Sequence, residues 1–157
     1  MHNIHNIMEI VQLNANAKLS EHFSLGEFTK SGSHPEVYNI PSHEAIANLT
    51  NLSKWLEVLR ERAGTPIRIN SGYRSPQLNK RIGGVPTSNH LTGCAVDIRV
   101  SGMEQLIRYA AILLDYADES KQEFDELLIE KNRYGAIWLH FAVRPSGNRR
   151  KVCFINA

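Results

Sequence analysis

Two histidines and an aspartate are the residues best suited to chemistry: His90 and Asp97 in the run Ser88-Asn89-His90-Leu91-Thr92-Gly93-Cys94-Ala95-Val96-Asp97, and His140 in Trp138-Leu139-His140. Two imidazoles and a carboxylate are the makings of a three-ligand zinc site. Zinc held by three side chains keeps its fourth tetrahedral position for water and lowers the pKa of that water to about 7, which makes hydroxide available at neutral pH. His90 and Asp97 do not share a helical face, because Gly93 interrupts the run between them. A loop that turns into a strand brings them together instead, with His140 arriving from another strand. A rigid sheet suits this task, since ligand geometry has to be held tightly.

The elements that must position these residues follow from pattern. Ser24 and Glu27 have capping-box spacing, so a short helix begins there, anchored by Phe23, Leu25 and Phe28. Ile46, Leu49, Leu52, Leu56 and Leu59 recur at helical intervals, predicting an amphipathic helix from Ser42 to Arg62, with Trp55 at its edge and Gly64 and Pro66 beyond its end. Pro66 to Asn70 reads as a short strand leading into a turn at Ser71-Gly72-Tyr73-Arg74. Ala95 to Val100 reads as a second strand, with Val96 and Ile98 on one face and Asp97 on the other. Ser101 and Glu104 repeat the capping-box spacing ahead of a helix whose buried stripe is Leu106, Ile107, Ala110, Leu113 and Leu114. Phe124 to Lys131 and Ala136 to Val143 read as a hairpin turning at Asn132-Arg133-Tyr134-Gly135. The expected class is α+β, a small antiparallel sheet packed against two long helices. Residues 1–18 are expected to be an extended lead-in and residues 19–157 a single domain.

Composition limits the partners. The chain has 157 residues, 42% hydrophobic, enough for one core. Eighteen basic against sixteen acidic residues leave a net charge of +2, too weak a bias to argue for nucleic acid. No run is apolar enough for a membrane span, and Met1 to Met8 lack the features of a signal peptide, so the expectation is cytoplasmic synthesis. Cys94 and Cys153 are too few for a disulfide framework and read as reduced thiols, Cys94 as packing. His2 and His5 form a pair near the terminus that could hold a metal in principle but reads as solvated, while His22 lacks an acidic or histidine partner at ligand spacing and reads, like His34 and His43, as a surface or packing residue. The glycines of Ile82-Gly83-Gly84-Val85-Pro86 are not followed by the lysine and hydroxyl of a phosphate loop.

The segment Ile69-Asn70-Ser71-Gly72-Tyr73-Arg74-Ser75, the Ser-x-His-x-x-Gly-x-Ala-x-Asp pattern of residues 88–97 and the late Trp-x-His together resemble the M15 family of zinc peptidases. That family includes D-alanyl-D-alanine carboxypeptidases, vancomycin-resistance dipeptidases and phage L-alanyl-D-glutamate endopeptidases, and its fold is shared by the hedgehog signalling domain. The resemblance spans roughly residues 19–145. It implies one zinc ion held by His90, Asp97 and His140, and hydrolysis of peptidoglycan stem peptides. It also implies that Arg74 binds a substrate carboxylate or carbonyl, a task that suits the donor fork of a guanidinium. Tyr73, Ser88 and Trp138 are the accompanying candidates for substrate contact.

Hydrolysis also needs a proton acceptor, usually a carboxylate that later hands the proton to the leaving amine. In many M15 peptidases this acid stands three residues before the last histidine ligand, where this chain has Ile137. Glu130 is the candidate here, because the Phe-Asp-x-Leu-x-x-Glu run resembles a subgroup whose acid precedes a hairpin turn; Asp125 and Glu126 are the alternatives. With Lys131 opposite Ala136, Glu130 would face away from His140, and a longer loop or a bulge would correct that. The preferred reading is a monomeric zinc peptidase, either carboxypeptidase or endopeptidase, that reaches the cell wall by a phage-type or other non-signal route. The alternative is a zinc-containing module that binds peptidoglycan or a protein without cleaving it.

Overall fold

Leucines at 49, 52, 56 and 59 give one face of a helix a continuous apolar stripe. In the computed structural model, which describes residues 15–157, they lie on α1 (His43–Ala63). Ser42 caps its first turn by accepting the Ala45 N–H at 3.1 Å, and Gly64 ends it in the left-handed conformation. Trp55 is not at an edge: it is 1% exposed, wedged against Tyr116, Phe141 and Phe124 at ring distances of 5.0, 5.2 and 6.5 Å. His2, His5 and most of the expected lead-in lie outside the described residues.

Two capping boxes were expected and one forms. Glu27 accepts the Ser24 backbone N–H at 2.8 Å, although the element it starts is a single 3-10 turn, Leu25–Phe28. At the second site the Ser101 N–H is taken by the Gln105 side chain at 2.8 Å, and the long helix begins one residue later without a side-chain cap. That helix, α3 (Met103–Ser120), buries Leu106, Ala110 and Leu113 as expected, but Ile107 is 56% exposed. Between α1 and α3 lies α2 (Pro76–Arg81), a short helix not anticipated from the sequence that follows the expected turn at Ser71 to Arg74, capped by Ser75 and opened by Pro76.

The sheet has five strands: β1 (Ile69–Ser71), β2 (Ala95–Arg99), β3 (Glu126–Lys131), β4 (Ile137–Ala142) and β5 (Lys151–Asn156). Their order is β1-β2-β4-β3-β5. The expected antiparallel sheet is in fact mixed, because β5 runs parallel to β3. After β4 the chain hops over the start of β3 and lays β5 along its far side. Val96, Ile98, Leu127, Leu139 and Phe141 turn one face of the sheet into the core shared with Trp55 and the long helices. Asp97, His140, Leu128 and Glu130 occupy the other face. No helix among the described residues is long and apolar enough to cross a membrane.

The β3–β4 connection decides which way Glu130 points. It runs from Asn132 to Ala136, with Asn132 Oδ1 accepting the backbone N–H groups of Tyr134 and Ala136, both at 3.0 Å. Lys131 therefore pairs with Ile137 and Glu130 with Trp138. Trp138 and His140 are two apart on one strand, so Glu130 and His140 share a face.

The hop from β4 to β5 is held by Asp125, which is fully buried. Its carboxylate accepts from Arg149 Nε at 3.0 Å and Nη2 at 2.8 Å, and from the Arg149 backbone N–H at 3.0 Å. Burial raises the Asp125 pKa, but bonds from Arg149 and Asn89 and the Arg144 charge outweigh it and hold the pKa at about 2. A carboxyl with a depressed folded pKa stabilises the fold above its unfolded value and loses that contribution as pH falls through the folded one. Urea melts at stepped pH should show stability falling from about pH 4 to about pH 2, with about 2 kcal/mol due to this group. Asp125→Asn leaves Arg149 only its longer contact to Glu126 at 3.4 Å, so it should start about 2 kcal/mol lower at neutral pH and lack the acid step.

Candidate metal centre

His90 sits in a 3-10 turn, Asn89–Thr92, that Ser88 opens by accepting the His90 N–H at 3.1 Å. Gly93 closes the turn at φ 74°, and a side chain there would run into the Ala45 carbonyl on α1, so only glycine fits. The neighbouring Asn89 ties the turn to β3 through Nδ2, which donates to Asp125 at 2.8 Å and to Glu126 at 2.7 Å. Arg144 Nε completes the knot by donating to Asn89 Oδ1 at 2.9 Å.

The imidazole of His90 is 1% exposed, and its Nδ1 lies 2.6 Å from the Gly72 carbonyl. A carbonyl only accepts, so Nδ1 carries the proton and Nε2 is left with its lone pair. Gly72 can approach because it has no Cβ; one would stand 2.6 Å from the Phe28 carbonyl. His90 Nε2 lies 3.3 Å from Asp97 Oδ1 yet has no hydrogen-bond partner of proper geometry. His140 Nδ1 lies 3.0 Å from the same Oδ1, and its Nε2 lies 3.0 Å from Glu126 Oε1.

Asp97 on β2 pairs directly with His140 on β4, which explains how residues far apart in the chain meet. The ligand atoms of His90, Asp97 and His140 all lie within 4.8 Å of one another. A buried, unpartnered imidazole nitrogen converging with a carboxylate and a second imidazole fits a small divalent cation of zinc type. Glu126 bonds the outward nitrogen of His140, the usual means of aiming a histidine ligand.

Electrostatics within the cluster are tightly linked. Burial disfavours charge on His140, but hydrogen bonds to Asp97 and Glu126 prevail and raise its pKa to about 10. Burial likewise opposes ionisation of Asp97, and the His90 and His140 neighbours overcome it, holding the carboxyl far below the ordinary range. Glu126 is held low chiefly by its bond to His140. Glu130 moves the other way, pushed up by burial and by the Asp97 charge.

The cluster opens into a cleft of about 650 Å³ that is also lined by Arg74, Ser88, Glu130 and Lys151. Arg74 donates from its backbone to the His90 carbonyl at 3.0 Å and from Nη1 to Asn79 at 3.1 Å. Its buried Nε has no partner. Burial lowers its pKa, against the pull of Asp97 and Glu130. Tyr73 lies in the core instead, its N–H bonded to the Phe28 carbonyl. Trp138 does not border the cleft; it lies beside Glu130 in register, with Nε1 buried. Asp125 is committed to Arg149, and Glu126 to His140 and Asn89. His22 is paired with Glu57 at 2.8 Å, away from the cluster. Sequence reasoning missed Asn89, Arg144, Arg149 and Lys151; the Val-Cys-Phe-Ile run after Lys151 was the available signal for β5.

A cation that binds only the folded protein stabilises it by mass action. Zinc at about a hundred times its dissociation constant should add about 2.7 kcal/mol, seen as a rise in Tm that a chelator reverses. His90→Ala should abolish that rise while the metal-free protein still melts cooperatively.

A search of curated proteins finds no match to this chain. A family model described as Peptidase M15 matches residues 21–124, more than half of the chain. The matched stretch takes in Arg74, His90 and Asp97 and ends before Glu130 and His140, which the sheet brings back to the same cleft. By that match, over a segment that carries two of the three clustered side chains, the chain belongs to the peptidase M15 family.

Proposed function

We propose that the protein is a zinc-dependent peptidase acting on the stem peptides of bacterial peptidoglycan, with His90, Asp97 and His140 as the metal ligands. The observation that carries this reading is the convergence of those three side chains, one with an orphaned buried nitrogen, beneath a cleft that Glu130 and Arg74 also face. When bound, zinc supplies a Lewis acid that polarises the scissile carbonyl and lowers the pKa of water. Arg74 holds a carbonyl or carboxylate of the peptide with its fork of donors. Glu130 takes the proton from the attacking water and returns it to the leaving amine. A raised pKa suits a group that must first accept and then donate. Ser88 and Trp138 support the pocket, Ser88 through the His90 backbone and Trp138 beside Glu130. The stem-peptide substrate, a hedgehog-like fold and delivery to the cell wall by a non-signal route belong to this proposal through the family resemblance.

The non-catalytic alternative drew on Ile137, which stands where many relatives carry the acid. In this sheet Ile137 pairs with Lys131 and packs against the core. An acid at that position would face away from the cluster, so Ile137 does not argue against catalysis, and Glu130 lies on the face where a base is needed.

The test is digestion of purified peptidoglycan by zinc-loaded protein, with products followed by mass spectrometry. Glu130→Gln should lower the rate at least about a hundredfold and leave the bound zinc unchanged. His140→Ala should lose both. If Glu130→Gln digests normally, Glu130 is not the base; if the wild type releases nothing from several wall types, the binding-module reading takes its place.

A further inference from the structure

The cleft continues past the metal cluster. Residues paired across a sheet face the same way, so the row through the cluster reads Asp97, His140, Leu128, Cys153 from β2 to β5. Glu126 and Lys151 flank it on one side, and Glu130 and Ile155 on the other. Strands lie about 4.8 Å apart, so the floor extends roughly 10 Å beyond His140 before the sheet ends. Leu128 and Ile155 line this outer half, with Lys151 at its rim, and Arg74, which follows β1 at the opposite margin of the sheet, also lines the cleft. The outer half ends at an edge strand, where Lys151 is exposed and Ile155 half-exposed.

The charges along this floor are unevenly committed. Arg144 and Arg149 are paired with Asp125 at 3.2 and 2.8 Å. Glu126 is occupied by Asn89, His140 and Arg149 at 2.7, 3.0 and 3.4 Å. Lys151 lies beside Glu126 in register, yet its side chain makes no hydrogen bond or ion pair among the described residues. Arg74 also makes no ion pair among them, its one side-chain bond going to Asn79. Two uncommitted cations therefore bracket the cluster, one beyond each side.

We propose that the β5 side of the cleft is a second peptide-binding arm, in which an extended acidic peptide crosses the strands from Arg74 to Lys151 and Lys151 binds a carboxylate of the substrate. This rests on the peptidase reading. A peptide advances about 3.3–3.6 Å per residue, so the carboxylate read by Lys151 lies two or three residues from the scissile bond. The bond over the cluster is then an internal one. Water adds across that amide, giving a new carboxylate and a new amine, each still attached to further residues. Leu128 and Ile155 offer apolar contact to the residues between. Lys151 is a specificity residue and takes no part in proton transfer.

The test uses zinc-loaded wild type, Lys151→Ala and Lys151→Arg on two synthetic stem pentapeptides, one with free internal carboxylates and one with them amidated. Wild type should cut an internal bond of the acidic peptide. Lys151→Ala should raise KM for that peptide about tenfold with kcat within about twofold, leave the amidated peptide unaffected, and match wild type in Tm. Lys151→Arg should restore most of the lost affinity. Release of a single terminal residue, or a Lys151→Ala variant equal to wild type on both peptides, overturns the arm and leaves the peptidase reading standing. A wild type that cuts neither peptide nor purified peptidoglycan overturns both.

Discussion

The buried carboxylate of Asp125 is the constraint on which the site depends. It has no exposed surface and is closed on by Arg149, Arg144 and Asn89. Each partner controls a different part of the molecule. Arg149 turns the chain over the start of β3 so that β5 can run parallel to it. Arg144 anchors the beginning of that crossing. Asn89 carries the constraint into the turn that presents His90. A buried charge is tolerated only when its partners are well placed, and here the same partners also set the relative position of β3, β5 and the His90 turn.

The two faces of the sheet divide the work. One is apolar and closes over Trp55 and the leucines of α1. The other carries Asp97 and His140 at paired positions, with Glu126 behind His140 and Glu130 further along β3. Asp97 thus lies between the two imidazoles, 3.0 Å from His140 Nδ1 and 3.3 Å from His90 Nε2, and each imidazole is aimed by an acceptor on its other nitrogen, the Gly72 carbonyl for His90 and the Glu126 carboxylate for His140. Metal affinity in such a site depends on these outer acceptors as well as on the three ligands.

Much of this was legible in the sequence, and the misses have physical reasons. The stripe of α1 is a local pattern, and so are the alternation around Asp97 and the His-Asp spacing. The direction of Glu130 was not readable, since it depends on where the β3–β4 turn ends, and one residue of register reverses a side chain. Ile107 fits a helical stripe by spacing, but α3 is covered over a narrower arc than the stripe. Tyr73 stands in a polar motif beside Arg74 and is nonetheless drawn into the core by the contact of its backbone with Phe28. The roles of Asn89, Asp125 and Glu126 arise only from long-range pairing, and a parallel edge strand reached by a crossing without a helix leaves no spacing signal.

The order of the strands also separates the site by local stability. Asp97 and His140 stand on β2 and β4, each hydrogen-bonded to a neighbour on both sides, and such strands open only when much of the sheet opens with them. Arg74 follows β1 and Lys151 begins β5, the two margins, where ladders are one-sided and opening costs less. Fraying at either rim therefore leaves the His90, Asp97 and His140 cluster undisturbed. In the proposed zinc peptidase, retention of the ion and exchange of the peptide above it become events on different timescales, set by the centre and the borders of the same sheet.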